Sequence, residues 1–518
     1  MVSRRSVTAV ALVALCVLVS SVGVWAAPRR GGTLTVGLAQ EVLNLDPHTA
    51  TAFSSFAIFD LVYQGLLDQD PGTLRLQPGL AESWSVSADG RVYTFTLRPG
   101  VRFHDGSGLT AEDVKYTFER ILDPQTGSPR ASQLPSIERI EVLDAQRVRF
   151  VLAEPFAPFL NLLAGLAIVP RDFPQKVGDP RTQTLGTGPY RLVRFSADTL
   201  ELARFDGYWR QGEDGRALPY MDRIVVRVIP DPSTLTSALR TGDVDLVVGF
   251  GLDATTSLIL SRQSGLVVES VPDLSYSLLG LNVTRGPLAD LRVRQAISLA
   301  VDRQELVDVV YSGQAAVAGP IPPTLHEWKP LPPGELPFYG GADRLARARQ
   351  LLQEAGHPNG FALKVMPIPT VPEAVQLAQV LQQQLRQVGI RVEIEQVDFA
   401  TFLDRWRRSD FDAFVSLNGG STDPDLHLYR HLHSTGSTNV FKFADQTTDR
   451  LLEQGRTTSD VARRVEIYTQ LQRRLAEQVP LLWLTHPTVY GAWRDRVQGF
   501  VLSSTRSLRS LESTWLSR

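Results

Sequence analysis

Residues Leu80 to Arg120 read LAESWSVSADGRVYTFTLRPGVRFHDGSGLTAEDVKYTFER. From Val92 to Leu97 the side chains alternate, with Tyr93, Phe95 and Leu97 on one face and Val92, Thr94 and Thr96 on the other, the period of a half-buried strand. Arg98-Pro99-Gly100 predicts a turn, because Pro presets φ and Gly accepts the positive φ that other residues avoid. Val101 and Phe103 resume the alternation before a second turn at His104-Asp105-Gly106-Ser107-Gly108. Thr110 then stands where a helix needs its N-cap, Asp113 is placed as the acid of a capping box, and Val114, Phe118 and Ile121 recur at helical spacing. The expected unit is a β-hairpin running into an amphipathic helix.

The particular residues say more than the pattern. A-E-S-W at 81–84 is followed by D-G-x-x-Y-T-F-x-L-R-x-G-V-x-F-H-D-G at 89–106 and L-T-A-E-D-V-x-Y-T-F at 109–118. This succession resembles the signature of family 5 extracellular solute-binding proteins, the dipeptide- and oligopeptide-binding receptors of ABC importers. Further phrases are similar to landmarks of the same family: L-D-P-H at 45–48 after a glycine-rich entry at Gly31-Gly32, G-T-G-P-Y at 186–190, G-D-V-D-L at 242–246, and L-R-V-R-Q-A-I-S-L-A-V-D-R at 291–303.

The resemblance implies an α/β architecture of the periplasmic-binding-protein type II-like kind, with two lobes, a hinge and a smaller inserted α+β domain. The expected division is a signal peptide at 1–27, first lobe at 31–66, inserted domain at 67–186, first lobe again at 187–283, second lobe at 284–494, and a last first-lobe piece at 495–518. It also implies a monomeric receptor, without cofactor or bond-breaking chemistry, that closes on a small solute and presents it to membrane permease subunits. Peptides lead the candidate cargoes, with oligosaccharides and nickel or haem complexes as alternatives.

Composition agrees with an exported globular protein. Of 518 residues 43% are hydrophobic, enough for well-formed cores, and 53 basic residues stand against 55 acidic ones, which leaves no electrostatic footprint for nucleic acid or an anionic membrane surface. Arg4-Arg5, the apolar run Val7 to Val19 and the small residues Ala26-Ala27 have the regions of a secretory signal peptide. The same run, extended through Val22 to Trp25, would also serve as a retained membrane anchor, and Ser3-Arg4-Arg5 faintly resembles a twin-arginine signal. Cys16, the only cysteine, follows Leu15 rather than the small residue that lipidation requires, so the processed chain is expected to be thiol-free.

Along the rest of the chain, Gly31 to Gly37 and Ile224 to Ile229 read as strands, and Ile137 to Leu152 as a hairpin split at Asp144-Ala145. Leu345 to Ala355 and Val375 to Val388 read as helices closed by Gly356 and Gly389, the second followed by a strand at Ile390 to Ile394, which implies β-α units and a partly parallel sheet. Gly319 to Gly341, rich in proline, is expected to be a stiff surface excursion.

No G-x-S-x-G, H-E-x-x-H or G-x-x-x-x-G-K occurs. Gly249-Phe250-Gly251-Leu252-Asp253-Ala254 mimics a dinucleotide G-x-G-x-x-A with Glu269 near the place of a ribose-binding acid, which keeps a nucleotide-dependent enzyme as the rival reading. The family resemblance brings the residues beyond L-D-P-H, including Thr51 and Phe53, towards the ligand cleft. It also brings in the loop Asn418-Gly419-Gly420-Ser421-Thr422-Asp423-Pro424. In peptide-binding relatives an Asp four places before this proline holds the ligand's amino terminus; here that place is Gly420, and Asp423 is the candidate replacement. Phe250, Tyr276 and Trp406 are candidate aromatic walls. His427 and His431, four apart, are candidates for a metal pair.

Overall fold

In a computed structural model that describes residues 28–517, Val92–Leu97 is an inner strand of a four-stranded antiparallel sheet. The spatial order is Ala81–Val86, Val92–Leu97, Arg147–Leu152, Ile137–Asp144. Tyr93, Phe95 and Leu97 are buried and the residues between them half-buried, as the alternation requires. The expected hairpin with 101–103 is corrected. The adjoining strand is Ala81–Val86, while the 101–109 stretch closes on itself through Phe103 N–H to Ser107 carbonyl at 2.8 Å and Leu109 N–H to Val101 carbonyl at 2.9 Å. Val101 packs into the core of this sheet, and Phe103 into the neighbouring core. The helix Ala111–Leu122 forms as expected: the Asp113 carboxylate accepts the Thr110 N–H at 2.8 Å and its hydroxyl at 2.9 Å, and Phe118 meets Phe150 edge-on at 4.8 Å.

The first lobe is built on a seven-stranded sheet. Thr33–Leu38 lies at its centre, parallel to Arg223–Val228 and Leu246–Val248, with the helix Pro232–Thr241 as the crossover. That helix ends at Gly242, whose φ of +90° suits glycine. The second lobe is built on a five-stranded sheet in the order Arg391–Ile394, Ala362–Pro367, Ala413–Asn418, Tyr276–Leu281, Leu481–Trp483. Ala362–Pro367 is parallel to both its neighbours, the arrangement that the helix–strand alternation foretold.

Strand pairing shifts two expected boundaries. Tyr276–Leu281 belongs to the second-lobe sheet rather than to a first-lobe piece ending at 283, and Thr488–Arg494 pairs with Leu246–Val248 and Leu266–Pro272 in the first. The chain crosses between lobes at 272–276 and 484–488, and the two crossings lie side by side, with Asp273 N–H donating to the Pro487 carbonyl at 2.8 Å. G-T-G-P-Y needs its glycines for close approach. A Cβ on Gly186 would lie 2.0 Å from the Val62 carbonyl oxygen, and the Gly188 N–H donates to that oxygen at 2.9 Å. The leader, with Arg4-Arg5 and Cys16, lies outside the described residues. Among those residues no helix is long and apolar enough to cross a membrane.

Candidate ligand-binding site

The site starts at L-D-P-H. Asp46 accepts two hydrogen bonds from Arg120, at 2.6 and 3.0 Å, and Arg120 also donates to His48 Nδ1 at 2.7 Å. The remaining ring nitrogen, Nε2, therefore carries the proton given to the Ala167 carbonyl at 3.0 Å. Burial pushes His48 down to about 4, which keeps it neutral in that role. One turn of the first lobe is thus fastened to the helix of the inserted domain.

From this anchor the helix Phe53–Val62 runs along one wall of a cavity of about 330 Å³. The inserted domain supplies Arg130, Ala164, Ala167 and residues 68–74 of a short hairpin, and the C-terminal segment supplies Ser503 to Arg509. The volume falls at the lower end of the ~300–1,000 Å³ that small-molecule sites occupy. Phe53, Phe56 and Phe59 provide aromatic surface. Phe53 is 53% exposed and Phe250 38%, with ring centroids 5.6 Å apart, so both offer free faces at the rim. Arg506, held at φ +61°, places its guanidinium 5.0 Å from the Phe250 centroid while ion-paired to Asp273. Arg509 pairs with Asp68 at 2.6 Å and Asp60 at 3.4 Å.

The sequence candidates divide on this geometry. Phe53 lines the cavity, and Phe53 and Phe250 line a smaller adjoining one of about 30 Å³; Thr51 is exposed just before the helix. Asn418, Gly419, Gly420 and Ser421 are not on the cavity wall, but the same loop is tied to it: the Gln69 amide donates to the Thr422 hydroxyl at 2.8 Å. Gly420 approaches the backbone so closely that a Cβ would sit 2.0 Å from the Leu274 carbonyl oxygen.

Asp423 is corrected as an ammonium ligand. It is 0% exposed and bound through both oxygens to Arg464 at 2.8 Å, with a further bond from the Asn161 amide at 2.9 Å. Its charge is spent inside the protein, where it joins the second lobe to the inserted domain. Tyr276, 1% exposed, is corrected from cleft wall to core, with its ring 6.2 Å from His427 and 6.3 Å from His486. Trp406 is partly buried against the same cluster.

His427 and His431 lie buried on the helix Asp425–Leu432, and burial pushes them down to about 4 and about 3. His427 Nε2 faces the Pro320 carbonyl at 3.3 Å and His431 Nδ1 the Thr438 hydroxyl at 2.9 Å. Among the described residues no group of three His, Cys, Asp or Glu side chains is placed to hold a metal ion. The G-x-G-x-x-A stretch does run from strand to helix, with Gly249 at φ +71° and Gly251 at φ +96°. The place a phosphate would take at the helix start is occupied by the Asp253 carboxylate, which accepts the Thr256 N–H at 2.6 Å. Sequence reading missed Gln69, Arg130, Arg506 and Arg509, which sit in a three-residue strand, irregular loops and a single short helical turn, segments too short to show periodicity.

Two sheet-built lobes with paired crossings, an inserted domain and a walled cavity define a solute-binding protein of the periplasmic type II-like architecture. The chain belongs to the bacterial extracellular solute-binding proteins, family 5, whose Middle-region model matches residues 75–439. The glutathione-binding protein GsiB of Pectobacterium atrosepticum is 29% identical over 498 residues, covering 92% of each chain. Di/tripeptide-binding protein 1 of Pseudomonas aeruginosa is 31% identical over 504 residues, covering 88% of this chain and 89% of its own. The solved structure of HbpA2 from Haemophilus parasuis superposes with a TM-score of 0.84 at 26% identity, covering 94% of this chain and all (100%) of its own.

Proposed function

We propose that the protein is the extracytoplasmic receptor of an ABC importer, taking a short peptide or peptide-like molecule into the cavity and passing it unchanged to permease subunits. The observation that carries this reading is the cavity itself. It combines aromatic faces for van der Waals contact with guanidinium and amide groups for orientation, at a junction where separate domains meet. The Gln69–Thr422 and Asn161–Asp423 contacts are the kind that form when the second lobe closes on a filled site. The names of the glutathione- and di/tripeptide-binding relatives support peptide-like cargo. The leader supports export, and no step of this function requires catalysis.

The test is a thermal-shift panel of di- and tripeptides, glutathione, oligosaccharides, nickel and haem complexes, and NAD. Stabilisation by members of the peptide group is the expected outcome. Stabilisation by sugar, metal complex or NAD alone would replace this reading with the corresponding alternative.

A further inference from the structure

We propose that Arg130 anchors a carboxylate of the cargo, so that this receptor selects its ligand by an acid group rather than by an α-ammonium. The inference rests on the cavity being the ligand site.

Arg130 lies on the cavity wall just before the short turn Ala131–Gln133. Its Nε donates to the Pro47 carbonyl at 3.0 Å, and its guanidinium lies 5.2 Å from the Phe56 ring centroid. Among the described residues its two terminal nitrogens have no hydrogen-bond acceptor and no carboxylate partner. The other two guanidinium groups of the wall are compensated, Arg506 by Asp273 and Arg509 by Asp60 and Asp68. A half-buried cation without a counterion is unfavourable, and burial alone lowers the basicity of Arg130, with no neighbouring acid opposing it. The guanidinium fork fits a carboxylate through two parallel charge-assisted bonds. It is also held in place beforehand. Nε grips Pro47 of the turn that Arg120 locks, and Ser128, two residues away, donates to the His48 carbonyl at 2.6 Å. A fixed donor loses little freedom when the ligand arrives.

No acid of comparable freedom awaits an ammonium. Asp423 is sealed by Arg464, and Gly420 has neither a side chain nor room for one. On the wall, Asp70 accepts the Gly72 and Thr73 N–H groups at 3.1 and 2.7 Å, and Asp68 is paired with Arg509. Asp60 is the least compensated, accepting the Leu508 N–H at 3.1 Å and lying 3.4 Å from Arg509. It is the group on which the opposite, ammonium-led selection would depend.

Calorimetric titration with matched di- and tripeptides in free, N-acetylated and C-amidated form separates the two. The expected result is a loss of about 10- to 100-fold on amidation, the fold-change that corresponds to a charged hydrogen-bond pair, and of under about threefold on acetylation. Arg130→Gln should bind free acid and amide alike at the weakened level, with its ligand-free melting temperature unchanged; Arg130→Lys should recover part of the difference. Free acid and amide binding equally to the wild type would overturn the inference and leave the peptide-receptor reading standing. A larger loss on acetylation would overturn it in favour of Asp60. Failure of every form to bind would overturn both readings.

Discussion

Gly420 shows how one residue can carry a meaning that its family counterpart does not predict. Read against peptide-binding relatives, it is a missing acid; in the structure it is a position where only glycine fits, because a Cβ would meet the Leu274 carbonyl oxygen at 2.0 Å. Gly420→Ala therefore displaces backbone and should cost about 1–3 kcal/mol of stability, measured by urea unfolding. An unchanged unfolding midpoint would contradict this packing. Asp423 differs from its expected role for the complementary reason: the sequence shows an acid beside Pro424 but not the Arg464 that arrives from 41 residues away to neutralise it. Asp423→Ala leaves a buried guanidinium without its partner and should lose about 3–5 kcal/mol. Stability within about 0.5 kcal/mol of wild type would show that the pair is not structural.

At the scale of elements, what was legible followed local periodicity. The alternation at 92–97, the capping box at Thr110 and Asp113, the hairpin split at Asp144-Ala145 and the β-α units at 362–394 all depend on neighbours in sequence, and all form. Pairings between distant segments were not legible. Nothing in 488–494 marks it as a partner of 246–248, and nothing in 101–103 says that Val101 and Phe103 enter two different cores. The site followed the same division. Phe53 stands beside a recognisable landmark, whereas Arg130 and Arg506 reach the cavity from irregular loops and Gln69 from a three-residue strand, segments too short for a period to betray their direction. Gly188 tests an element junction that the sequence did flag. Its place against Val62 leaves 2.6 Å from a Cβ to the Val62 carbonyl carbon. Gly188→Ala should lower the melting temperature by several degrees, and no change would mean the strand entering the first lobe tolerates a shift there.

Across the whole molecule, desolvation keeps five histidines neutral: His48, His104, His427 and His486 are each pushed down to about 4, and His431 to about 3. They are spread over both lobes and the inserted domain. Unfolded, each would titrate near 6.5, so below that pH the unfolded chain takes up protons that the folded chain refuses. The contribution of these rings to stability is therefore full above about pH 6.5, falls as pH drops towards 4, and levels off below their folded values. Urea midpoints at pH 7.5 and 5 should differ, the acid value being lower; equal midpoints would mean these rings accept protons in place.

The same assembly of lobes and inserted domain makes the protein a carrier, with a cavity that exists only because three segments of chain converge on it. Calorimetric titration of ligand-free protein with the peptide that stabilises it most, followed by mass spectrometry of the recovered ligand, addresses that role directly. One mole of ligand bound per mole of protein and recovered at unchanged mass is the expected result; no saturable binding, or a ligand returned cleaved or modified, would contradict it.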